Sequence, residues 1–171
     1  MTLFRPLALL LGLALASSAA AGEPPKPDFY VMRHLQKGGG NDPGLSEEGR
    51  MNAERLARWF ARQRPRAIFV SRTRRARETA APLAARLHLV VQEYDPLDVA
   101  GVAARAKAER GPVLIVGHSN TVPDIVAALG GTKPAPLAEE SFGQIWRIHG
   151  APPVTQEKSL GAASLSPAGR G

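Results

Sequence analysis

The sequence has no cysteine and few aromatic residues, and each absence excludes a class of protein. Without cysteine among its 171 residues, the chain cannot form a disulfide, so its stability must come from a packed core. Nine residues are aromatic, and none lies among the arginines of residues 72–77, where a surface that stacks nucleic acid bases would place them. We therefore expect no nucleic acid partner.

The amino terminus also lacks an apolar run long enough to cross a membrane. Its apolar run, residues 7–16, has 10 residues, whereas a membrane-spanning helix needs about 20. Arg5 precedes this run and the small-residue stretch SSAAA follows it, which is typical of a secretory signal peptide over residues 1–21. We expect cleavage after Ala21, where no cysteine is present to carry a lipid. The sequence therefore predicts a periplasmic or secreted protein with no membrane span in the mature chain.

Removal of the signal peptide leaves 150 residues, a length at which one compact domain buries about two-thirds of its unfolded surface. We place this single domain at residues 28–150. A proline-rich leader, residues 22–27, precedes it. Residues 151–171 follow it and have too few large apolar side chains to fold alone, so we expect a flexible C-terminal tail.

The chain is basic, and the signal peptide contributes little to this. Its 22 basic and 15 acidic residues give a net charge of +7, and loss of the one basic residue in the signal peptide leaves +6. Such a balance favours anionic partners, meaning phosphate esters, nucleic acid or anionic lipid surfaces. Arginines solvated on helix faces would explain the same charge without a partner. Charge alone therefore does not choose a function.

Short apolar runs rich in β-branched residues alternate with segments that are typical of helices. The first helical segment has a capping serine and an apolar stripe, whereas Pro82 is expected to break or kink the second. Such alternation predicts an α/β fold, a three-layer α/β/α sandwich with a mostly parallel sheet in a single domain. The expected strands are 28–33, 67–71, 88–93, 113–117 and 142–149, and the expected helices are 46–63, 72–87, 97–110 and 123–129.

Polar side chains follow three of the predicted strands directly. Arg33 and His34 come after the first strand. A cluster of arginines that includes Arg75 comes after the second strand, and His118 comes after the fourth. The ligand crevice of a parallel α/β sheet lies beyond the carboxyl ends of its strands. We therefore expect these side chains to converge on one crevice.

Two asparagines are candidates for contact with a substrate in that crevice. Asn120 comes two residues after His118, and Asn41 lies in the glycine-rich loop GGGNDPG after the first strand. Asparagine is also a common turn residue, which explains Asn41 without a substrate.

Two imidazoles among arginines suit the transfer of a phosphoryl group. Its charged oxygens match the fork of a guanidinium group, and catalysis of its transfer is mainly positioning and charge stabilisation. A neutral histidine can attack phosphorus and carry the group covalently. Surrounding cations lower the pKa of an imidazole and help to keep it neutral.

The segments FYVMRHLQK, PGLSEEGRMNAERLA, VSRTRRARETA and VLIVGHSN resemble the histidine phosphatase superfamily (phosphoglycerate-mutase-like), branch 1, of the small phosphatase type, over roughly residues 28–131. The resemblance implies that His34 is the phosphorylated nucleophile. It also implies that Arg33, Arg75 and His118 bind the phosphoryl oxygens. No cofactor and no metal ion are implied.

The sequence departs from the pattern of this family at two points. Leu35 stands where glycine is usual, so we expect its side chain to turn away and its backbone N–H to serve the site. The resemblance also implies a carboxylic acid just after the third strand that protonates the leaving oxygen. Glu93, Asp95 and Asp98 lie in this region, and Glu93 is the first choice. Asp124, one helical turn past His118, is the second choice. A phosphohistidine substrate has a better leaving group and needs no such acid.

Three other functions compete with this interpretation. The stretch GHSNT nearly matches the turn that carries the nucleophile of serine hydrolases, with Ser119 as nucleophile and Asp124 and His149 following in order. A metal hydrolase would use His34 and His118 with nearby acids, although no HExxH or cysteine-based site is present. A non-enzymatic protein that binds phosphate or another polyanion would fit the basic charge.

The sequence thus predicts an exported phosphatase that hydrolyses a phosphomonoester or a phosphohistidine through a covalent phosphohistidine on His34. The expected substrate is a phosphorylated small molecule or a phosphate group of the cell envelope. Mutase activity is less favoured, because the chain is short and an exported enzyme would not ordinarily meet phosphoglycerates. A catalytically degenerate, phosphate-binding relative is the main alternative.

Overall fold

A computed structural model describes residues 27–161. The expected signal peptide, most of the leader and residues 162–171 lie outside the described residues. Within residues 27–161, no helix combines the length and the apolar character that crossing a membrane requires. In chain order the elements are β1 (Phe29–Arg33), α1 (Glu47–Trp59), β2 (Ala67–Ser71), α2 (Arg74–Leu87), β3 (Gln92–Tyr94), α3 (Val99–Ala108), β4 (Val113–Gly117), α4 (Val122–Ala128), β5 (Gln144–His149) and β6 (Val154–Ser159).

The strands form one mixed, mostly parallel sheet in the order β3-β2-β4-β1-β5-β6. The first four strands are parallel to one another, β5 is antiparallel to β1, and β6 is antiparallel to β5. The register of β1 and β4 pairs Arg33 with Gly117. The carboxyl ends of these two central strands therefore lie side by side, as the predicted crevice requires.

Helices cover both faces of the sheet, because successive side chains along a strand point to opposite faces. Met32 of β1 packs in a buried cluster with Leu56 of α1 and Leu83 of α2. Its neighbour Val31 packs in a second cluster with Ile125 of α4. The result is a three-layer α/β/α sandwich, so the predicted fold class is confirmed.

Pro82, which was expected to break or kink the second helix, lies inside α2 without ending it. Proline has no N–H to donate to the carbonyl group four residues earlier, at Glu78. The two residues that follow Pro82, Leu83 and Ala84, are buried. Packing of this face against the sheet therefore maintains the helix across the missing hydrogen bond.

The third strand is shorter than expected and begins later, at Gln92 rather than His88. His88 ends α2 in a left-handed conformation, with φ at 55°. A residue in this conformation cannot begin an extended strand. The apolar run after His88 is therefore a connection, and the strand that follows it has three residues.

The expected boundary of the domain at residue 150 is wrong, because β6 is the sixth strand of the sheet. Its backbone pairs with β5 along the whole strand, from Val154 opposite His149 to Ser159 opposite Gln144. Most of its side chains are exposed. Its position therefore depends on backbone hydrogen bonds to β5, which a count of apolar residues does not detect.

Candidate active site

His34 and His118 meet at the carboxyl edge of the two central strands. His34 is the first residue after β1, and its backbone N–H donates to the carbonyl oxygen of Gly117 at 2.9 Å. His118 is the first residue after β4. The centroids of the two rings are 5.3 Å apart, at an interplanar angle of 65°. The predicted convergence of these two histidines is therefore present in the structure.

The hydrogen bond of His34 fixes which ring nitrogen is free. Nδ1 lies 2.8 Å from the carbonyl oxygen of Leu35, which can only accept, so Nδ1 carries the proton and Nε2 keeps its lone pair. Burial lowers the pKa of His34 to about 4, and the charges of Arg75, His118 and Arg33 add to this effect. Burial is thus the largest cause, ahead of the cations. His34 is a neutral imidazole at neutral pH.

His118 is also neutral. Burial lowers its pKa to about 4, and the charges of Arg75 and Arg33 contribute in the same direction. A turn holds its backbone, because the N–H of His118 donates to Oγ1 of Thr121 at 3.0 Å. A neutral imidazole can donate one hydrogen bond and accept another. His118 can therefore donate a hydrogen bond to an oxyanion without adding a positive charge beside His34.

Arg33 is held by the loop that precedes β5. Its side chain is 4% exposed. Nη1 donates to the carbonyl oxygens of Ala138 at 3.0 Å, Glu139 at 2.7 Å and Ser141 at 3.3 Å. The ring of Phe142 lies 4.3 Å from the guanidinium carbon. Nε is buried and has no hydrogen-bond partner among the described residues. This free N–H is therefore available to a bound oxyanion.

Arg75 lies in the first turn of α2, with its charge close enough to lower the pKa of both histidines. Its Nη1 is 3.5 Å from Oδ1 of Asp42. Its Nε, like that of Arg33, is buried and unpartnered within residues 27–161. A phosphoryl group bound here would give both guanidinium groups the acceptors that they lack.

Leu35 meets one expectation and contradicts another. Its side chain is fully buried in the cluster that lies under α1 and α2, so it does turn away from the histidines. Its backbone N–H, however, donates to Oγ1 of Thr79 at 3.0 Å and is not available to a substrate. The hydroxyl group of Thr79 donates in turn to the carbonyl oxygen of Arg75 at 2.8 Å. This pair of hydrogen bonds connects the end of β1 to α2.

The structure does not bring Glu93 or Asp124 into contact with the histidines. Glu93 lies on the edge strand β3 and accepts a hydrogen bond from Arg77 at 3.0 Å. Three strand spacings separate β3 from β1, which is about 14 Å across the sheet. The carboxylate of Asp124 pairs with Nζ of Lys133 at 2.6 Å and is about half exposed. Both carboxylates thus pair with basic side chains other than Arg33 and Arg75.

Asn41 and Asn120 are exposed at the same edge of the sheet. Asn120 lies in the turn between β4 and α4, and Asn41 precedes Asp42 in the glycine-rich loop. Neither side chain makes a hydrogen bond with another described residue. Their contact with a substrate stays a prediction.

Comparison with known families accounts for this arrangement. A model of the histidine phosphatase superfamily (branch 1) matches residues 31–98, which run from the middle of β1 through α1, β2 and α2 to the residues just after β3. Within these residues the chain matches this superfamily. The predicted resemblance is confirmed, and so is the class of enzyme that it implies, a phosphatase of the histidine phosphatase type.

Solved structures of histidine phosphatases share the fold of this chain. The mycobacterial glucosyl-3-phosphoglycerate phosphatase is 20% identical, with a TM-score of 0.59 over 81% of this chain and 100% of that chain. The protein histidine phosphatase SixA, in complex with tungstate, is 19% identical, with a TM-score of 0.61 over 78% of this chain and 97% of that chain. At these identities the likeness establishes the fold. A search of curated protein sequences found no significant match.

The serine hydrolase alternative is not supported by this histidine phosphatase fold. Ser119 follows the carboxyl end of β4, whereas His149 lies next to Ile148, which pairs with Phe29 at the amino end of β1. Ser119 and His149 therefore lie at opposite ends of the strands. As for a metal hydrolase, residues 27–161 contain no group of three or more histidine, aspartate and glutamate side chains placed to hold a metal ion.

Sequence reasoning missed three residues that contact the two arginines. None of Asp42, Glu139 and Phe142 follows a predicted strand directly, so the sequence did not indicate them as site residues. All three lie in loops whose course depends on the tertiary fold. The one available signal was the position of Asp42 in the loop directly after β1, at the edge where the strands end.

Proposed function

We propose that this protein is a phosphatase that transfers a phosphoryl group from its substrate to Nε2 of His34 and then to water. The observation that carries the proposal is a neutral His34 with an unprotonated Nε2, beside two arginines whose buried Nε groups have no hydrogen-bond partner among residues 27–161. Such an imidazole is a nucleophile without loss of a proton, and the N–H groups are donors for an oxyanion.

The reaction has two chemical steps. In the first, Nε2 of His34 attacks phosphorus, the bond from phosphorus to the leaving group breaks, and a phosphohistidine forms. In the second, water attacks the same phosphorus, the P–N bond breaks and inorganic phosphate leaves. The carbonyl oxygen of Leu35 accepts from Nδ1 throughout, which stabilises the positive charge that develops on the ring.

Positive charge around the phosphoryl group stabilises it during transfer to His34. Arg33 and Arg75 each carry a positive charge and a free Nε–H, so they stabilise the negative oxygens as these move towards His34. His118, at the end of the neighbouring strand β4, adds a further hydrogen bond to the oxyanion. Burial of these groups excludes water and makes each electrostatic contact stronger than it would be in solvent.

The substrate is proposed to be a phosphomonoester or a phosphohistidine. Two proteins of the same fold support this range: one is a glucosyl-3-phosphoglycerate phosphatase and the other a protein histidine phosphatase. A phosphorylated small molecule or a phosphate group of the cell envelope is compatible with the basic charge of the chain.

Export to the periplasm or the medium is part of the proposal. It is supported by Arg5, the apolar run of residues 7–16 and the small residues that follow it. The check is to fractionate cells that produce the full chain and to sequence the amino terminus of the recovered protein. Export predicts a mature chain that begins near Gly22, and a cytoplasmic protein that retains residues 1–21 contradicts it.

The catalytic proposal is tested by measuring phosphate release from p-nitrophenyl phosphate and a panel of phosphorylated compounds. His34→Asn is expected to abolish release, whereas the matched control His88→Asn keeps it, because His88 is an exposed residue at the end of α2. Brief incubation with ³²P-labelled substrate and an alkaline quench should label wild-type protein and not His34→Asn. Phosphate binding without turnover of any compound would instead indicate a degenerate, binding-only relative.

A further inference from the structure

Hydrolysis of an unactivated phosphate ester requires a proton for the leaving oxygen, because an alkoxide is a poor leaving group. Glu93 and Asp124, the first and second choices to supply it, are ion-paired with Arg77 and Lys133. Asp95 accepts from the backbone N–H of Leu97 at 2.9 Å, and Asp98 caps α3 by accepting from that of Gly101 at 2.8 Å. The proton donor must therefore be sought among the carboxylates that lie beside Arg33 and Arg75.

Among residues 27–161, Asp42 and Glu139 are the carboxylates that form ion pairs with these guanidinium groups, whereas Glu140 acts on the charge of Arg33 without forming an ion pair with it. Asp42 already stabilises the start of α2. Its two oxygens accept from the backbone N–H of Arg74 at 3.0 and 3.3 Å, at the start of α2. The preceding residue, Thr73, makes no capping hydrogen bond with its own side chain. Protonation of Asp42 would weaken the contacts that cap the helix and orient Arg75.

Glu139 is held at the site by its backbone, and its carboxyl group forms an ion pair with Arg33 but no hydrogen bond with another described residue. Its carbonyl oxygen accepts from Nη1 of Arg33 at 2.7 Å, while Oε1 lies 4.0 Å from Nη2. The Glu139 side chain is 77% exposed, whereas that of Arg33 is 4% exposed. The carboxyl group therefore lies between a buried guanidinium group and solvent, where it can exchange protons with water.

The leaving group must occupy the same region. The phosphoryl oxygens bind at the buried guanidinium groups and the imidazoles, so the rest of the substrate extends towards solvent. The carboxyl group of Glu139 lies on that outward side, next to Arg33. Rotation about its side-chain bonds is unrestricted by hydrogen bonds to other described residues, so it can approach the bridging oxygen.

We propose that Glu139 is the catalytic acid for esters, an assignment that rests on the proposed phosphatase function. As Nε2 of His34 attacks phosphorus, the P–O bond breaks and the carboxyl group of Glu139 gives its proton to the leaving oxygen, which departs as an alcohol. The carboxylate then takes a proton from the water that attacks the phosphohistidine. The P–N bond breaks, phosphate leaves, and both Glu139 and His34 return to their starting states.

The test compares substrates whose leaving groups differ in basicity. The rate constant kcat/KM is measured for an alkyl phosphate, phenyl phosphate and p-nitrophenyl phosphate with wild-type protein, Glu139→Gln and the matched control Glu140→Gln. Glu139→Gln is expected to lower kcat/KM for the alkyl phosphate about 100-fold and for p-nitrophenyl phosphate less than about threefold. Glu140→Gln should keep the wild-type pattern.

A merely structural role of Glu139 would lower all three rates equally, and this outcome would overturn the assignment. The assignment is also wrong if Asp42→Asn, and not Glu139→Gln, shows the loss that grows with the basicity of the leaving group. If the wild-type enzyme hydrolyses esters and Glu139→Gln does so at the same rates, Glu139 is not the acid, and the proposed phosphatase function still stands. A wild-type protein that hydrolyses no ester, and forms no phosphohistidine, overturns the proposed function together with it.

Discussion

His34 and His118 lie edge to face, with 5.3 Å between the centroids of their rings, in a pocket that also holds two arginines. Two imidazolium ions at this separation would repel each other and the arginines, and burial removes the water that would screen them. Both rings are therefore neutral, and the pair combines a nucleophile with a hydrogen-bonding partner for an oxyanion.

The neutral state of this pair gives the first prediction. We expect His34 and His118 to titrate near a pKa of about 4, well below the usual value of 6.5. In proton NMR spectra of the free protein, the ring signals that His34→Asn and His118→Asn remove should stay constant from pH 8 to about pH 5 and then shift. Midpoints at or above 6.5 would show that the rings are exposed to solvent.

A dependence of stability on pH follows from the same shift. The unfolded chain binds protons on these histidines near pH 6.5, whereas the folded chain does so near pH 4, so folding becomes less favourable as the pH falls between these values. For buried His34 we expect a loss of about 2 kcal/mol in the free energy of unfolding by pH 4.5. Urea unfolding at pH 7 and pH 4.5 measures it. His34→Asn should lose less over this range, and equal losses in both proteins would refute the cause.

Gly117 is predicted to tolerate no side chain. A Cβ atom at this position would lie 2.9 Å from Oγ1 of Thr121 and 3.0 Å from Oη of Tyr94, and Thr121 accepts the hydrogen bond that holds the backbone of His118. Gly117→Ala should lower the free energy of unfolding by about 1–3 kcal/mol and reduce kcat. The matched control is Gly39→Ala, where an added Cβ has no neighbour within 4 Å. Thermal unfolding and phosphate release are measured for both variants. Equal stability and equal activity of Gly117→Ala and Gly39→Ala would contradict the close packing at Gly117.

Asp42 is predicted to stabilise α2 from outside the helix. Asp42→Ala removes the hydrogen bonds to the N–H of Arg74 and the contact with Arg75, and should cost about 1 kcal/mol of stability. Thr73→Ala, which changes the formal cap residue, should cost less because Thr73 makes no capping bond. Denaturant unfolding of the two variants provides the comparison. A larger loss for Thr73→Ala would mean that the helix is capped locally.

Local patterns in the sequence predicted most of the fold. Short apolar runs of residues that favour strands identified β1, β2 and β4, because a strand buried on both faces is mostly apolar. These patterns gave the wrong bounds for β3 and did not predict β6, for different reasons. The start of β3 depends on the left-handed conformation of His88, and β6 depends on backbone pairing with β5 rather than on its own apolar residues.

The residues of the candidate site also divide into those that the sequence predicted and those that it did not. Arg33, His34 and His118 could be found because each follows a buried strand, and parallel strands end at one edge of the sheet. Glu139 and Phe142 could not be found, since they lie more than 100 residues from Arg33 in the chain and approach it only through a loop. Glu93 follows the family pattern, yet in the structure it faces Arg77.

By itself, then, the sequence determined the alternation of strands and helices, the family, and the side chains delivered by the strand ends. These features follow from hydrophobic periodicity and from residues that are adjacent in the chain. Only the tertiary structure decided that Nδ1 of His34 donates to Leu35, that burial is the main reason why both imidazoles are neutral, and that Asp42 and Glu139 are the carboxylates beside the arginines. The reason is physical: solvent exclusion and contacts across loops depend on the whole packed chain, and no short stretch of residues encodes them.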